Sequence, residues 1–169
     1  QEQQALTCQR VDHFDATHIN LTCTSAPILD PMGNLLAVLD ISALDSPNAH
    51  NSQTFALHLT QLYARMIEDA YFLRRSRKQV IVRCDGSREF VQVNGKYLFA
   101  IDGDGRVEAA NTAGRSLMLD PGSGSDTETR PDLTSLFECE LRDIWSIPYD
   151  HDDQVKAFRH CASGRTFFA

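Results

Sequence analysis

A chain of 169 residues, 42% hydrophobic and with a formal charge of −7, has room for one ordinary domain or two small ones and is too apolar for extended disorder. The acidic balance argues against a broad phosphate-binding surface, so no nucleic acid is expected on this stretch. No run is long and apolar enough to cross a membrane, and the opening QEQQALTCQR lacks the apolar core of a signal peptide, which together predict a cytoplasmic chain. Five cysteines, at 8, 23, 84, 139 and 161, are scattered and odd in number, which suits reduced thiols better than a disulfide framework.

The first twenty residues are mixed and polar, with no convincing period. Residues 21–42, LTCTSAPILDPMGNLLAVLDIS, read as two strands joined at DPMGN, where Pro31 fixes a turn and Gly33 or Asn34 takes a positive φ. Residues 35–41 are apolar nearly throughout, which predicts a strand buried on both faces. The loop LDSPNAHN offers Asn48, Asn51 and Ser52 as helix caps.

From 52 to 77 the pattern is helical. Phe55, Leu59, Leu62, Met66 and Leu73 recur at steps of three and four, with Asp69 interrupting, and a second stripe carries Tyr63, Ile67, Ala70 and Tyr71. The helix ends in RRSRK, cations suited to its C-terminal dipole. QVIVRCD and REFVQV then read as short β-prone runs around Asp85-Gly86, followed by a hairpin, GKYLFAIDGDGRVEAAN, and a short helix over 112–119. DPGSGSDTETRPD reads as a mobile surface loop. LTSLFECELRDIWSI reads as a helix starting near Thr134 and Ser135, with Leu136, Phe137, Leu141, Ile144 and Trp145 on one face. VKAFRHCASGRTFFA reads as two strands around Ser163-Gly164. There is no internal repeat. The plan is two small α+β units joined by a long helix, with the composition shifting at about residue 78.

The catalytic inventory is nearly empty. Asp102 and Asp104 fit the first two ligand positions of a calcium loop, but Arg106 stands where the third oxygen is needed, so a plain turn is the better reading. Cys8, His13, His18 and Cys23 are spaced by five, which does not present the close ligand pairs of a structural zinc site. Cys139 lies in an apolar helical pattern as a buried inert thiol, and His160 and Cys161 point to opposite faces of a strand. No nucleophile elbow and no phosphate loop are present, the Asp152-Asp153 pair sits in a polar loop, and RRSRK lacks the interleaved aromatics of a nucleic-acid site. The expectation is a non-enzyme with no metal and no cofactor, built for ligand sensing or association. A small metal or thiol enzyme is the weaker alternative.

YLFAIDGDGRVEAANTAGRSLM resembles the opening of a PAS domain, with a strand, an Asp/Gly turn, a second strand and an Asn leading a short helix. CTSAPILDPMGNLLAVLDIS is similar to the last hairpin of a GAF domain, and the helix after it to the closing GAF helix. Their order resembles the sensory region of sigma-54-dependent transcriptional activators of the acetoin catabolism regulator type. That resemblance implies an α+β fold in two parts. Residues 1–78 would be the C-terminal portion of a GAF-like domain ending in the long helix. Residues 79–169 would be a PAS-like antiparallel sheet with short helices, truncated at its last strand. It further implies a fragment whose ATPase, DNA and sigma-54 RNA polymerase contacts lie outside this chain.

Two uses follow from that resemblance. One is a small-metabolite pocket lined by Phe99, Ile101, Ala109, Leu117, Phe137, Ile144, Trp145 and Phe158, with ordinary core as the plainer reading of the same residues. The other is a homodimer through Phe55, Leu59, Leu62, Met66 and Leu73, with or without a ligand.

Overall fold

The computed structural model describes residues 3–9, 12–15, 17, 20–44, 50–119, 131–147 and 155–169, and the side chains of all of these except 50–52. The fold is α+β, and every described sheet is antiparallel. The chain divides into two compact units, Gln1–Tyr71 and Phe72–Ala169, with the division falling inside the long helix.

In the first unit, β1 (Leu6–Gln9), β2 (Leu21–Leu29) and β3 (Leu35–Leu44) form a sheet in the order β1-β2-β3. β1 falls in the stretch that shows no period, because four residues are too few to display one. The β2–β3 turn closes on Asp30, whose Oδ1 accepts from the backbone N–H groups of Met32 and Asn34, both at 2.8 Å. Gly33 takes the left-handed conformation there, at φ +88°. Along β2, Thr22, Thr24, Ala26 and Ile28 are buried and their neighbours are not, the alternation of a sheet with one covered face.

That face meets helix α1 (His50–Arg75). Ala26, Ile28 and Ala64 form the small core of the unit, with Ala5 and Leu39 packed against it. The side of α1 that is buried carries Thr60, Ala64, Glu68 and, in the second unit, Phe72, at steps of four, and neither of the two large apolar stripes expected from the sequence. Small residues let helix and sheet backbones approach closely. Glu68 then fastens the end of β2, its Oε1 accepting from Leu29 N at 2.6 Å. Since α1 begins at His50, Asn51 and Ser52 lie within its first turn, while Asn48 lies outside the described residues.

The expectation for residues 35–41 is corrected. Leu35, Leu36, Val38 and Ile41 are exposed, Val38 by 56%. Among the described residues β3 pairs with β2 alone, at the margin of the sheet, and none of them covers its apolar run on both sides.

The second unit is built on β4 (Val80–Cys84), β5 (Tyr97–Ile101) and β6 (Val107–Ala110), in the order β4-β5-β6. β5 is the strand buried on both faces. Phe99 and Ile101 join a core with Val82, Cys84, Leu136, Phe137, Phe158 and Phe167, while Leu98 and Ala100 pack with Phe72 in a second cluster. REFVQV is not a strand but helix α2 (Arg88–Asn94), with Phe90 and Val93 exposed and Val91 buried. β4 and β5 pair antiparallel, with Cys84 opposite Tyr97, and this helix lies in the connection between those adjacent ends. Asp85 braces both ends of the connection, accepting from Ser87 N at 3.0 Å and Lys96 N at 3.1 Å.

α3 (Thr112–Met118) follows β6. The helix expected over 133–147 is two, α4 (Leu133–Leu136) and α5 (Leu141–Trp145). Between them Phe137 forms a β-bridge with His160, and Glu138 N donates to Arg159 O at 2.8 Å, so tertiary pairing interrupts the helix. A Glu140–Asp143 capping box restarts it. β7 (Ala157–Arg159) and β8 (Thr166–Phe168) form the closing hairpin, with Gly164 at φ +64°. The loop expected over 120–132 lies outside the described residues up to 130, as does the Asp152-Asp153 pair.

Candidate functional site

The 97–111 hairpin forms as its sequence predicts, and its polar groups hold structure together. Asp102 Oδ1 accepts from Asp104 N and Arg106 N, both at 2.9 Å, and Gly105 supplies the positive φ of +81°. The carboxylate that a calcium loop would offer a metal is engaged by the turn itself. Asn111 sits at the strand-to-helix corner. Its Oδ1 accepts from Gly114 N at 2.8 Å, capping α3, and from Leu98 N at 3.2 Å, while Nδ2 donates to Lys96 O at 3.0 Å. One buried side chain thus ties β5, β6 and α3 together.

The second unit holds a small, partly open cavity of about 10 Å³ lined by Val82, Cys84, Leu133, Phe137, Cys139 and Ile144, with Ile147, Phe158 and Ala169 completing it. That is room for about one water, and the lining is apolar. Of the pocket residues expected from the sequence, Phe137, Ile144 and Phe158 line it. Phe99, Ile101 and Leu117 belong to the same core cluster without lining the cavity. Ala109 packs on the opposite cluster with Phe72, and Trp145 is exposed, because the break in the 133–147 helix turns it away from Leu136 and Phe137. Phe137 is the hub, with ring centroids 5.7 Å from His160, 5.8 Å from Phe167 and 6.3 Å from Phe99, mostly edge-to-face.

Two thiols share this apolar ground. Burial pushes the Cys84 thiol up to about 12, with Cys139 and Asp85 adding to the effect. Burial, then Asp143 and Cys161, push Cys139 up to about 11. Both stay protonated and unreactive near neutrality. Among the described residues no group of three His, Cys, Asp or Glu side chains is placed to hold a metal. Cys8 and Cys23 of the spaced-by-five set stand opposite one another on β1 and β2, and His18 lies outside the described residues.

An exposed apolar surface also lies on α1. Phe55, Leu62 and Met66 are 69%, 52% and 53% exposed, with Tyr63 and Ile67 exposed beside them. Leu59 is half-buried, and Leu73, also half-buried, packs against the Phe72 cluster. No described helix is long and apolar enough to cross a membrane.

These observations define a two-unit α+β chain whose chemistry-bearing groups are mostly spent on structure and whose long helix carries an uncovered apolar stripe. Over 164 residues, 95% of its length, the chain is 43% identical to an acetoin catabolism regulatory protein of Cupriavidus necator, and it is therefore homologous to part of that protein. It spans 24% of that relative's length. No family model matches the chain. A chain of the E. coli DhaR(N)-DhaL complex crystal structure overlaps 98% of this one and 60% of its own length, at 17% identity and a TM-score of 0.35, too low to establish a shared fold.

Proposed function

We propose that this chain is a sensory and regulatory segment of a sigma-54-dependent transcriptional activator of the acetoin catabolism regulator type, acting in the cytoplasm without chemistry of its own. The observation that carries the reading is the 43% identity to an acetoin catabolism regulatory protein across nearly the whole chain. In this reading residues 1–78 are a GAF-like C-terminal portion and residues 79–169 a PAS-like domain. The ATPase, DNA and sigma-54 RNA polymerase contacts belong to other parts of the full protein.

The segment works by pairing with a second copy along α1. Phe55, Leu59, Leu62, Met66, Asp69 and Leu73 follow spacings of four, three, four, three and four, a heptad seam on a helix of 26 residues, or about 39 Å. Phe55, Leu62 and Met66 of the seam are exposed and Leu59 is half-buried, which supports association. Sedimentation should show a dimer. The double variant Leu62→Glu, Met66→Glu should weaken it by at least about tenfold, since each buried apolar side chain contributes about 1.5–3 kcal/mol. A parent chain that stays monomeric at high concentration would sink the pairing.

A small-metabolite effector is the second reading, favoured by the apolar cavity beside Phe137, Ile144 and Phe158. At its present size that cavity must open to admit anything larger than water. Acetoin and related small hydroxyketones should then raise the melting temperature of the second unit, and a series with no shift counts against this reading.

A further inference from the structure

We propose that Cys8 and Cys23 form a reversible disulfide on the open face of the first unit's sheet, making this pair a site of oxidation by peroxide. The register places the two residues directly opposite each other on adjacent antiparallel strands. Opposed residues in such a ladder have Cα atoms about 4.5–5.5 Å apart, within the range of about 4.4–6.8 Å that a disulfide spans. Their faces agree as well. Thr22 and Thr24 point to the covered side of β2, so Cys23 points to the other, and Cys8 across from it does the same. Both thiols are partly exposed.

The neighbours give the pair two arrangements. In the reduced chain Cys23 Sγ lies 3.2 Å from Ser42 Oγ on β3, and Ser42 Oγ donates to Asp40 Oδ2 at 2.7 Å, which leaves the thiol as donor to Ser42. Rotation about Cys23 χ1 carries the sulfur from the β3 side to the β1 side without moving the backbone. In the oxidation itself, the Cys23 thiolate attacks one oxygen of hydrogen peroxide. Hydroxide leaves, takes up the proton that the thiol released and becomes water, and Cys23 becomes a sulfenic acid. The Cys8 thiolate then attacks that sulfur, the S–S bond forms, and the hydroxide departs as a second water. Two thiols lose two electrons and two protons, and the peroxide is reduced to two waters.

The other cysteines do not compete for this role. Cys84 and Cys139 are held protonated by burial. Cys161 is exposed in a turn of the second unit, where its backbone pairs with Leu136, and the cysteine near it, Cys139, is the thiol that burial holds protonated.

The test uses the whole chain carrying Cys161→Ser, so that cross-links between molecules do not obscure the result. After brief treatment with hydrogen peroxide and alkylation of the remaining thiols, non-reducing peptide mapping should find a Cys8–Cys23 linked peptide, reversed by dithiothreitol. The intact mass should fall by two hydrogens. With Cys8→Ser added, dimedone should label Cys23 instead. The proposal is overturned if the folded chain shows independent sulfinic or sulfonic products at the two positions, or no linked peptide while both thiols remain.

Discussion

Strands β3 and β5 are both apolar runs, LLAVLDISAL and YLFAI, and they end in opposite environments. Leu98, Phe99, Ala100 and Ile101 of β5 are buried to the last few per cent, while Leu35, Leu36, Val38, Ile41 and Leu44 of β3 face outward. β5 lies between two strands and between two apolar clusters, one around Phe137 and one around Phe72. Among the described residues β3 has one strand neighbour and only the small Ala26–Ile28–Ala64 core beneath its sheet. An apolar run therefore says that a strand has surface to bury, and the layers around it decide how many faces are covered. The same contrast separates the units. The second closes on a dense aromatic core, and the first leaves large apolar side chains on both β3 and α1 available to a partner.

The sharpest way to break this comparison is Phe167→Ala. Its side chain is fully buried against Tyr97, Phe137 and His160, so its loss should cost about 3–5 kcal/mol and lower the thermal midpoint of the second unit. An unchanged midpoint would mean the aromatic core is not what holds that unit together. Asn111→Ala comes next. It removes the cap of α3 and leaves buried Leu98 N without its acceptor, an expected loss of about 2–3 kcal/mol, read as a lower denaturant midpoint at constant slope.

A pH series sharpens the same contrast. An unfolded chain releases its thiol protons around 9.0, whereas the folded unit holds those of Cys139 and Cys84 to about 11 and about 12. Their contribution is complete below pH 9.0 and is lost as pH rises toward about 12. One pH unit above the ordinary value, the Cys84 share is on the order of 1 kcal/mol. Denaturant midpoints measured across that window should fall, and Cys84→Val should flatten the fall. The smallest effect is expected at β3. Val38→Ala should change the stability of the isolated chain by no more than about 0.5 kcal/mol, because the side chain is already in solvent. A loss several times larger would show that β3 is covered in solution.

Legibility followed locality. The Asp102–Gly105 turn, the Asn111 corner and the Gly164 turn could be read from sequence because each is fixed by residues a few positions apart, with side chains that bond nearby backbone. REFVQV could not, because β4 pairs directly with β5 and the β-prone run between them, with no strand to pair with, is helical. The 133–147 helix broke where Phe137 found His160, more than twenty positions away. The cysteine pair was visible only as an odd spacing until the β1–β2 register set its members face to face. The stripe of α1 was legible as one that could meet a second copy, but the face that packs on the sheet was not. The packing face turned out to be the small-residue side around Ala64, which no count of apolar periodicity singles out.

By itself the sequence determined the order of strands, turns and helices wherever a glycine, an Asx side chain or a repeating apolar step acts over one or two turns of chain. Tertiary structure decided which apolar surfaces are interior, which thiols meet and where helices stop. Those outcomes depend on the partner each segment finds across the fold, and a burial or a backbone pairing exists only once both sides are in place.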